Sequence, residues 1–316
     1  MKTKLIAVIG QTAVGKTEFS LKLAEKLNAE IISVDSRQVY RHLNIGADKI
    51  SAEIRAVIPH HLIDVAEPDE IFSAAGFAAL AQKAAEDIKA RNKTPLLVGG
   101  TPFYYKALLG TLHEDLPKDE TLRKELEREI EEKGLAALHA ELESVDPVSA
   151  ARIHPNDPVR TMRAVEIYRL TGKPSSWWYE HQNRKEPPYD ILYIGLTRDR
   201  DELYENIAKR VRQQFENGYP EEVRWLLEHG CDEKLPALQG FGYRELVNYL
   251  KGRCTYEEAL EGDIRSTKAF SRRQMTWFKH FEPCVWYNLS EIKAEEVLLD
   301  ATAKCKTFLS EGQTCE

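Results

Sequence analysis

Leu5 to Ile9 is an unbroken apolar run that stops at Gly10. A short run of this kind, closed by glycine, predicts a strand over 4–9 that is buried on both faces. The period then changes. Phe19, Leu21, Leu23, Ala24 and Leu27 recur at helical spacing within Thr17–Leu27, predicting an amphipathic helix. Further strands are predicted over 29–34, ending at Asp35, over 60–65, and over 94–98, ending at Gly99-Gly100-Thr101, with an alanine-rich helix over 73–92 between the last two. Alternation of strand and helix argues for an α/β fold, a parallel sheet with helices on both faces.

Near Leu116 the pattern changes. No strand is predicted from Asp119 to about Arg184. A heavily charged helix (119–133) leads into shorter helical stretches broken by Gly134, Pro147, Pro155, Pro158 and Pro174. Strand character returns over 190–196, then helices over 199–217, 220–229, 241–251 and 256–280, a strand over 284–289 and a helix over 293–310. The reading is an α/β core domain of 1–115 plus 188–316, interrupted by an all-helical insertion domain of 116–187.

Composition narrows the function classes. The 316 residues are 42% hydrophobic and 30% charged, which is ordinary for a globular chain, and a net charge of −7 excludes a uniformly basic coat. Cys231, Cys254, Cys284, Cys305 and Cys315 form no C-x-x-C pair, so free thiols in a reducing cytosol are expected. The first apolar run is too short for a signal sequence and no stretch reaches membrane-spanning length. A soluble cytoplasmic monomer is the expectation.

Gly10-Gln11-Thr12-Ala13-Val14-Gly15-Lys16-Thr17 matches G-x-x-x-x-G-K-[ST] at every fixed position, after a buried strand and opening a helix. In such a loop backbone N–H groups and the helix N-terminus converge on phosphate oxygens, Lys16 adds a full charge, and the Thr17 hydroxyl can ligand Mg²⁺. A motor, switch GTPase or transport ATPase would also carry an acidic residue at the end of a core strand. The 94–98 strand ends in Gly-Gly-Thr instead, and no Asn-Lys-x-Asp guanine signature occurs. Small-molecule kinases and enzymes that expel diphosphate remain.

Ligands of open α/β sheets bind at the carboxyl ends of strands, which places Asp35 beside the phosphate loop. Its carboxylate could accept a proton from a nucleophile or could close an Asx turn, and position alone weighs the two equally. Ser36, Arg37 and Gln38 follow on the rim, with side chains suited to a base edge or a phosphate. Thr101 could bond a substrate or cap the following helix. Arg265, Lys268, Arg272, Arg273 and Lys279 lie in a stretch without acids, interleaved with aromatics. Arg152, Arg160, Arg163, Arg169 and Lys173 lie in the insertion, opposed in sequence only by Asp157 and Glu166. Two basic clusters beside a phosphate loop favour a polyanionic partner.

The phosphate loop, Ser33–Tyr40, His60–Asp64, Gly99–Thr101, His154–Glu166, Gly242–Glu245 and Arg272–Phe278 occur in an order that resembles the bacterial tRNA dimethylallyltransferases, over about residues 5–290. The resemblance implies a nucleotide-kinase-like P-loop core. It implies dimethylallyl diphosphate as donor, and as acceptor N6 of the adenosine 3′ to the anticodon in some tRNAs. It places the general base on Asp35, a tRNA-contacting threonine on Thr101, and diphosphate on residues 10–17 with help from Arg210. Its tRNA contacts fall on Asp35–Gln38, on Val159, Arg160, Thr161, Met162 and Arg163, and on Gly240, Phe241, Gly242, Tyr243, Arg244 and Glu245; Arg272 and Arg273 join them from the basic cluster. Gln11, Val14 and Pro102 depart from the family's usual residues, and Pro102 removes an N–H. The alternative is a P-loop kinase of a small metabolite or nucleoside.

Overall fold

The computed structural model describes residues 2–111, 116–181 and 186–311. Cys315 lies outside them; the other four cysteines are free thiols, with Cys305 buried. Two compact units result, 1–109 with 187–316 and, between them, 110–186. The first boundary falls earlier than the change of texture at Leu116, because the helix after Thr101 ends at Leu108.

The first unit opens with β1 (Thr3–Gly10), α1 (Lys16–Leu27) and β2 (Ala29–Ser33). After them come α2 (Ala52–Val57), β3 (His60–His61), α3 (Ala74–Ala90), β4 (Thr94–Gly99) and α4 (Pro102–Leu108). Among the described residues the strands form one six-stranded sheet in the order β3-β2-β4-β1-β5-β6, where β5 is Tyr189–Thr197 and β6 is Cys284–Asn288. Every pairing is parallel. Leu5, Ile6, Val8 and Ile9 of β1 are fully buried, as are Leu96 and Leu97 of β4. Central strands covered on both faces need apolar side chains on both, hence the unbroken runs.

The strand expected over 60–65 is two residues long. Leu62 and Asp64 have φ of 63° and 58°, a left-handed backbone no strand can hold. Leu62 and Ile63 are buried as loop residues, which accounts for the apolar run. Pro102 stands at the first position of α4. An N–H there has no intrahelical acceptor, so its loss costs nothing.

The second unit holds α5 (Glu120–Lys133), α6 (Leu135–Val145), α7 (Pro147–Arg152), α8 (Pro158–Thr171) and α9 (Ser175–Glu180). Leu126, Leu138, Leu142, Ala164 and Val165 form its core. Beside that core Glu166, only 1% exposed, accepts hydrogen bonds from Arg123 (2.9 Å), Arg163 (2.5 Å) and the Asp119 amide (3.1 Å). Burial would raise its pKa, but the two guanidiniums and the amide outweigh it and hold the carboxyl below the ordinary range. Glu166→Ala should therefore destabilise this unit by about 2–3 kcal/mol, less than a fully buried pair because both arginines are partly exposed. The depressed pKa gives stability above the unfolded value that is lost as pH falls. Denaturation curves of variant and wild type should therefore converge on acidification; a pH-independent gap would refute the ionic account.

The chain returns through β5 to α10 (Arg200–Glu216), α11 (Tyr219–Glu228), α12 (Tyr243–Leu250), the long α13 (Tyr256–Phe278), β6 and α14 (Ala294–Ser310). No helix among the described residues is long and apolar enough to cross a membrane.

Candidate active site at the carboxyl ends of the strands

β1, β2 and β4 end side by side, so the loops that follow them share one rim. They border an open cavity of about 780 Å³, within the first unit, lined also by α10, α13 and the 239–244 segment.

The loop after β1 curls through Gly15, whose φ of 110° excludes ordinary side chains. Lys16 crosses back inside the curl and donates to the carbonyls of Gly10 (3.0 Å) and Gln11 (2.7 Å). Burial, then the Arg210 charge, push its pKa down to about 8, against the pull of Asp35 and Asp48. Two cationic side chains, Lys16 and Arg210, and two carboxylates, Asp35 and Asp48, thus meet at this end of the cavity. Thr12, Ala13, Gly15, Lys16 and Thr17 line it. Gln11 and Val14 are buried, and the Gln11 amide group donates to the Ser271 carbonyl (3.2 Å). The two departures from the family pattern thus fall on side chains turned into the protein. Among the described residues the Thr17 hydroxyl carries no hydrogen bond.

Asp35 performs one of its two expected jobs visibly. Oδ1 accepts from the amides of Arg37 (2.8 Å) and Gln38 (3.3 Å), an Asx turn. Oδ2 has no hydrogen-bond partner among the described residues, and Asp35 lines the cavity. Thr101 does not cap α4 with its side chain. Its Oγ1 instead accepts from the Ser36 amide (3.1 Å), joining the loops after β2 and β4.

Arg37 and Gln38 line the cavity but spend their polar ends on the protein. Arg37 donates to the carbonyls of Pro236 (2.7 Å) and Ala237 (2.8 Å). Gln38 donates to those of Ala47 (3.2 Å) and Asp48 (3.3 Å) and accepts from Ser33 (2.7 Å). Gly240, Phe241, Tyr243 and Arg244 also line the cavity. Tyr243 is fully buried, and Glu245 turns back to accept from the Gly242 amide (2.8 Å).

Arg210 reaches in from α10. It donates to the Thr12 hydroxyl (2.6 Å) and to Asp48 (3.2 Å), while its buried Nε lacks a partner among the described residues. Gln274 of α13 accepts from the Thr12 amide (2.8 Å) and donates to the Gly100 carbonyl (2.7 Å), locking the phosphate loop to the end of β4. Sequence reasoning missed Asp48, His60 and Gln274, which line the same cavity. His60 and Gln274 lay inside recognised motifs; Asp48 had no pattern to mark it.

The basic clusters differ. On α13, Arg273 lines the cavity above Phe270 and Arg272 donates to the Tyr204 hydroxyl (2.8 Å); neither meets a carboxylate among the described residues. Phe278 and Phe281 are core, whereas Phe270 tilts against Phe241 at 4.7 Å beside the cavity. In the helical unit, Arg169 is held by Glu129 (2.9 Å) and Glu141 (2.6 Å), and Arg163 by Glu166. The expectation that Asp157 and Glu166 alone oppose this cluster is corrected by acids from other helices. Thr161 is fully buried and Met162 packs on the local core, leaving Val159 (68% exposed) and Arg160 as the accessible part of that stretch.

The family model described as IPP transferase matches residues 38–281. The tRNA dimethylallyltransferase of Geobacter sulfurreducens is 43% identical over 285 residues, 90% of this chain and 92% of that one. The solved tRNA isopentenylpyrophosphate transferase of Bacillus halodurans is 39% identical, with 98% of each chain covered and a TM-score of 0.74. A eukaryotic dimethylallyltransferase solved acting on tRNA is 27% identical, with a TM-score of 0.82 over 98% of this chain and 80% of that one.

Proposed function

The chain belongs to the IPP transferase family, and from that premise we propose that it transfers the dimethylallyl group of dimethylallyl diphosphate to N6 of the adenosine 3′ to the anticodon of a subset of tRNAs. At the coarser level it is a tRNA dimethylallyltransferase, a prenyltransferase on a P-loop fold. The kinase alternative has no support among these relatives. The observation that carries the finer reading is the meeting of Asp35, Lys16, Thr101 and Arg210 at one cavity.

In this reading the diphosphate lies against the loop amides of Ala13, Gly15, Lys16 and Thr17, with Lys16 and the spare Arg210 Nε as charged donors. Phe241 and Phe270 supply apolar surface for the allylic tail. The adenosine leaves its stack to enter. Its amine nitrogen forms a bond to the allylic carbon while the carbon–oxygen bond to diphosphate breaks, the electron pair leaving with the diphosphate. The proton freed from nitrogen goes to Oδ2 of Asp35, and the Asx turn holds that carboxylate still. Lys16, Arg210 and the loop amides stabilise the charge developing on the leaving group. The Thr17 hydroxyl, at the cavity and without a hydrogen bond among the described residues, would help hold a Mg²⁺, and that ion would neutralise leaving-group charge.

Incubation with total tRNA and either dimethylallyl diphosphate or ATP tests the proposal. A prenyl mass gain on adenosine with the first is expected; phosphoryl transfer to a nucleoside with the second would overturn it. The two basic clusters give a further expectation. Arg272→Gln with Arg273→Gln should flatten the salt dependence of tRNA binding by about 0.7 in log–log slope for each phosphate no longer neutralised. Arg163→Gln should leave the slope unchanged and lower stability, because its charge is already spent on Glu166. Titrations at several salt concentrations decide this, and an unchanged slope in the folded double variant would remove α13 from the RNA interface.

A further inference from the structure

We propose that Glu222 is a positioning residue for donor binding, because it fixes the loop whose Asp48 aims Arg210 into the cavity. The inference rests on the reading that this cavity takes a diphosphate. Glu222 sits one turn into α11. Its Oε2 accepts from the amides of Asn44 (2.7 Å) and Ile45 (2.6 Å), and Oε1 from the Gly46 amide (3.1 Å) and the Tyr243 hydroxyl (2.9 Å). Three consecutive backbone N–H groups on one carboxylate define the path of the chain, since no neutral side chain can accept from all of them without turning a donor toward one. Gly46 lets the loop settle on the face of Tyr219, where any Cβ would strike the ring.

The constraint passes directly to the cavity. Ala47 and Asp48 follow at its wall. Asp48 accepts from Arg210 (3.2 Å), and Arg210 in turn holds the Thr12 hydroxyl. One turn along α10, Gln214 donates to the Ile45 carbonyl (2.8 Å), so the helix that carries Arg210 grips both ends of the same short segment. Beyond it Lys49 closes the loop on Asp64 (2.5 Å) and the Tyr40 carbonyl (2.6 Å). Within this frame the Arg210 guanidinium has two of its three nitrogens engaged and presents a buried Nε without a partner among the described residues. A charged donor without an acceptor, on a side chain that lines the cavity beside Lys16, is where a diphosphate oxygen completes the set.

Glu222 does not line the cavity itself; it meets the wall through Gly46 and Tyr243, and its effect on a diphosphate is expected to travel through Asp48 and Arg210. The test is a double-mutant cycle read by calorimetric titration of the full chain with inorganic diphosphate and Mg²⁺. Glu222→Gln should weaken binding about tenfold and raise KM for dimethylallyl diphosphate with kcat nearly unchanged. Arg210→Gln should weaken it at least as much, and the double variant no more than Arg210→Gln alone. Glu222→Asp, which keeps the charge on a shorter stem, should fall between wild type and Glu222→Gln. Additive losses for Glu222 and Arg210, unchanged affinity in Glu222→Gln, or a failure of both Glu222 variants to fold would each place Glu222 in the scaffold alone and overturn the proposal. Absence of diphosphate binding by the wild type would instead overturn the donor assignment beneath it.

Discussion

Asp35→Asn should be nearly as inactive as Asp35→Ala, both losing roughly 10²–10⁴-fold in kcat while tRNA and donor affinity stay within a few fold. The two variants separate the two jobs of this carboxylate. Alanine removes both the Asx turn and the proton acceptor. Asparagine keeps an Oδ1 for the amides of Arg37 and Gln38 but puts an N–H₂ group where Oδ2 faces the cavity, and that group cannot take a proton. Single-turnover prenylation of adenosine in saturating donor measures the step. If Asp35→Asn turned over at a near-normal rate while Asp35→Ala did not, the residue would serve the turn and the base would have to be sought elsewhere.

Lys16→Ala should weaken diphosphate binding by about 10–10² and lower kcat further, by about 10²-fold, because the charge on diphosphate grows as it leaves. The pKa of about 8 adds a signature that a purely structural lysine would lack. The protonated form binds the anion, and the bound anion raises the pKa. Affinity should therefore be full below pH 8 and fall above it, by up to tenfold per unit. Calorimetry near pH 8 in two buffers of different ionisation enthalpy should show net proton uptake. Lys16→Arg, charged throughout, should remove the pH dependence even where it weakens binding. A wild-type affinity that stays flat from pH 7 to 9 would contradict the assignment.

What the sequence revealed and concealed follows from the range of the interactions. β1, β2, β4 and β5 were legible because strands buried on both faces must be apolar throughout, and the phosphate loop because one local segment supplies its whole geometry. α2 was not, since none of its residues is buried and no apolar period marks it. The brevity of β3 was hidden because burial of Leu62 and Ile63 in a loop leaves the same apolar trace as a strand. The basic face expected of the helical unit dissolved because the acids facing Arg169 lie 28 and 40 positions away in sequence. Glu222 gave no sign at all: its partners are mostly main-chain amides, which have no letter in a sequence. The candidate site divides the same way. Asp35, Lys16 and Thr101 stand at strand ends where pattern reading looks for them; Asp48 enters it only through the fold, and Gln274, inside the 272–278 motif, shows its lock on the phosphate loop only there.

The seam between β1 and β5 also sets an order of events at synthesis. Thr3 pairs with Tyr189 and Gly10 with Leu196, so one edge of the first strand made must wait for nearly two-thirds of the chain before its neighbour exists. Until then its backbone N–H and C=O groups, flanked by Leu5, Ile6, Val8 and Ile9, offer an open template to any other extended segment. The helical unit is translated during that interval, and its own pairings are comparatively local. Chains truncated before residue 197 should therefore keep that edge unpaired and aggregate more readily than the full chain.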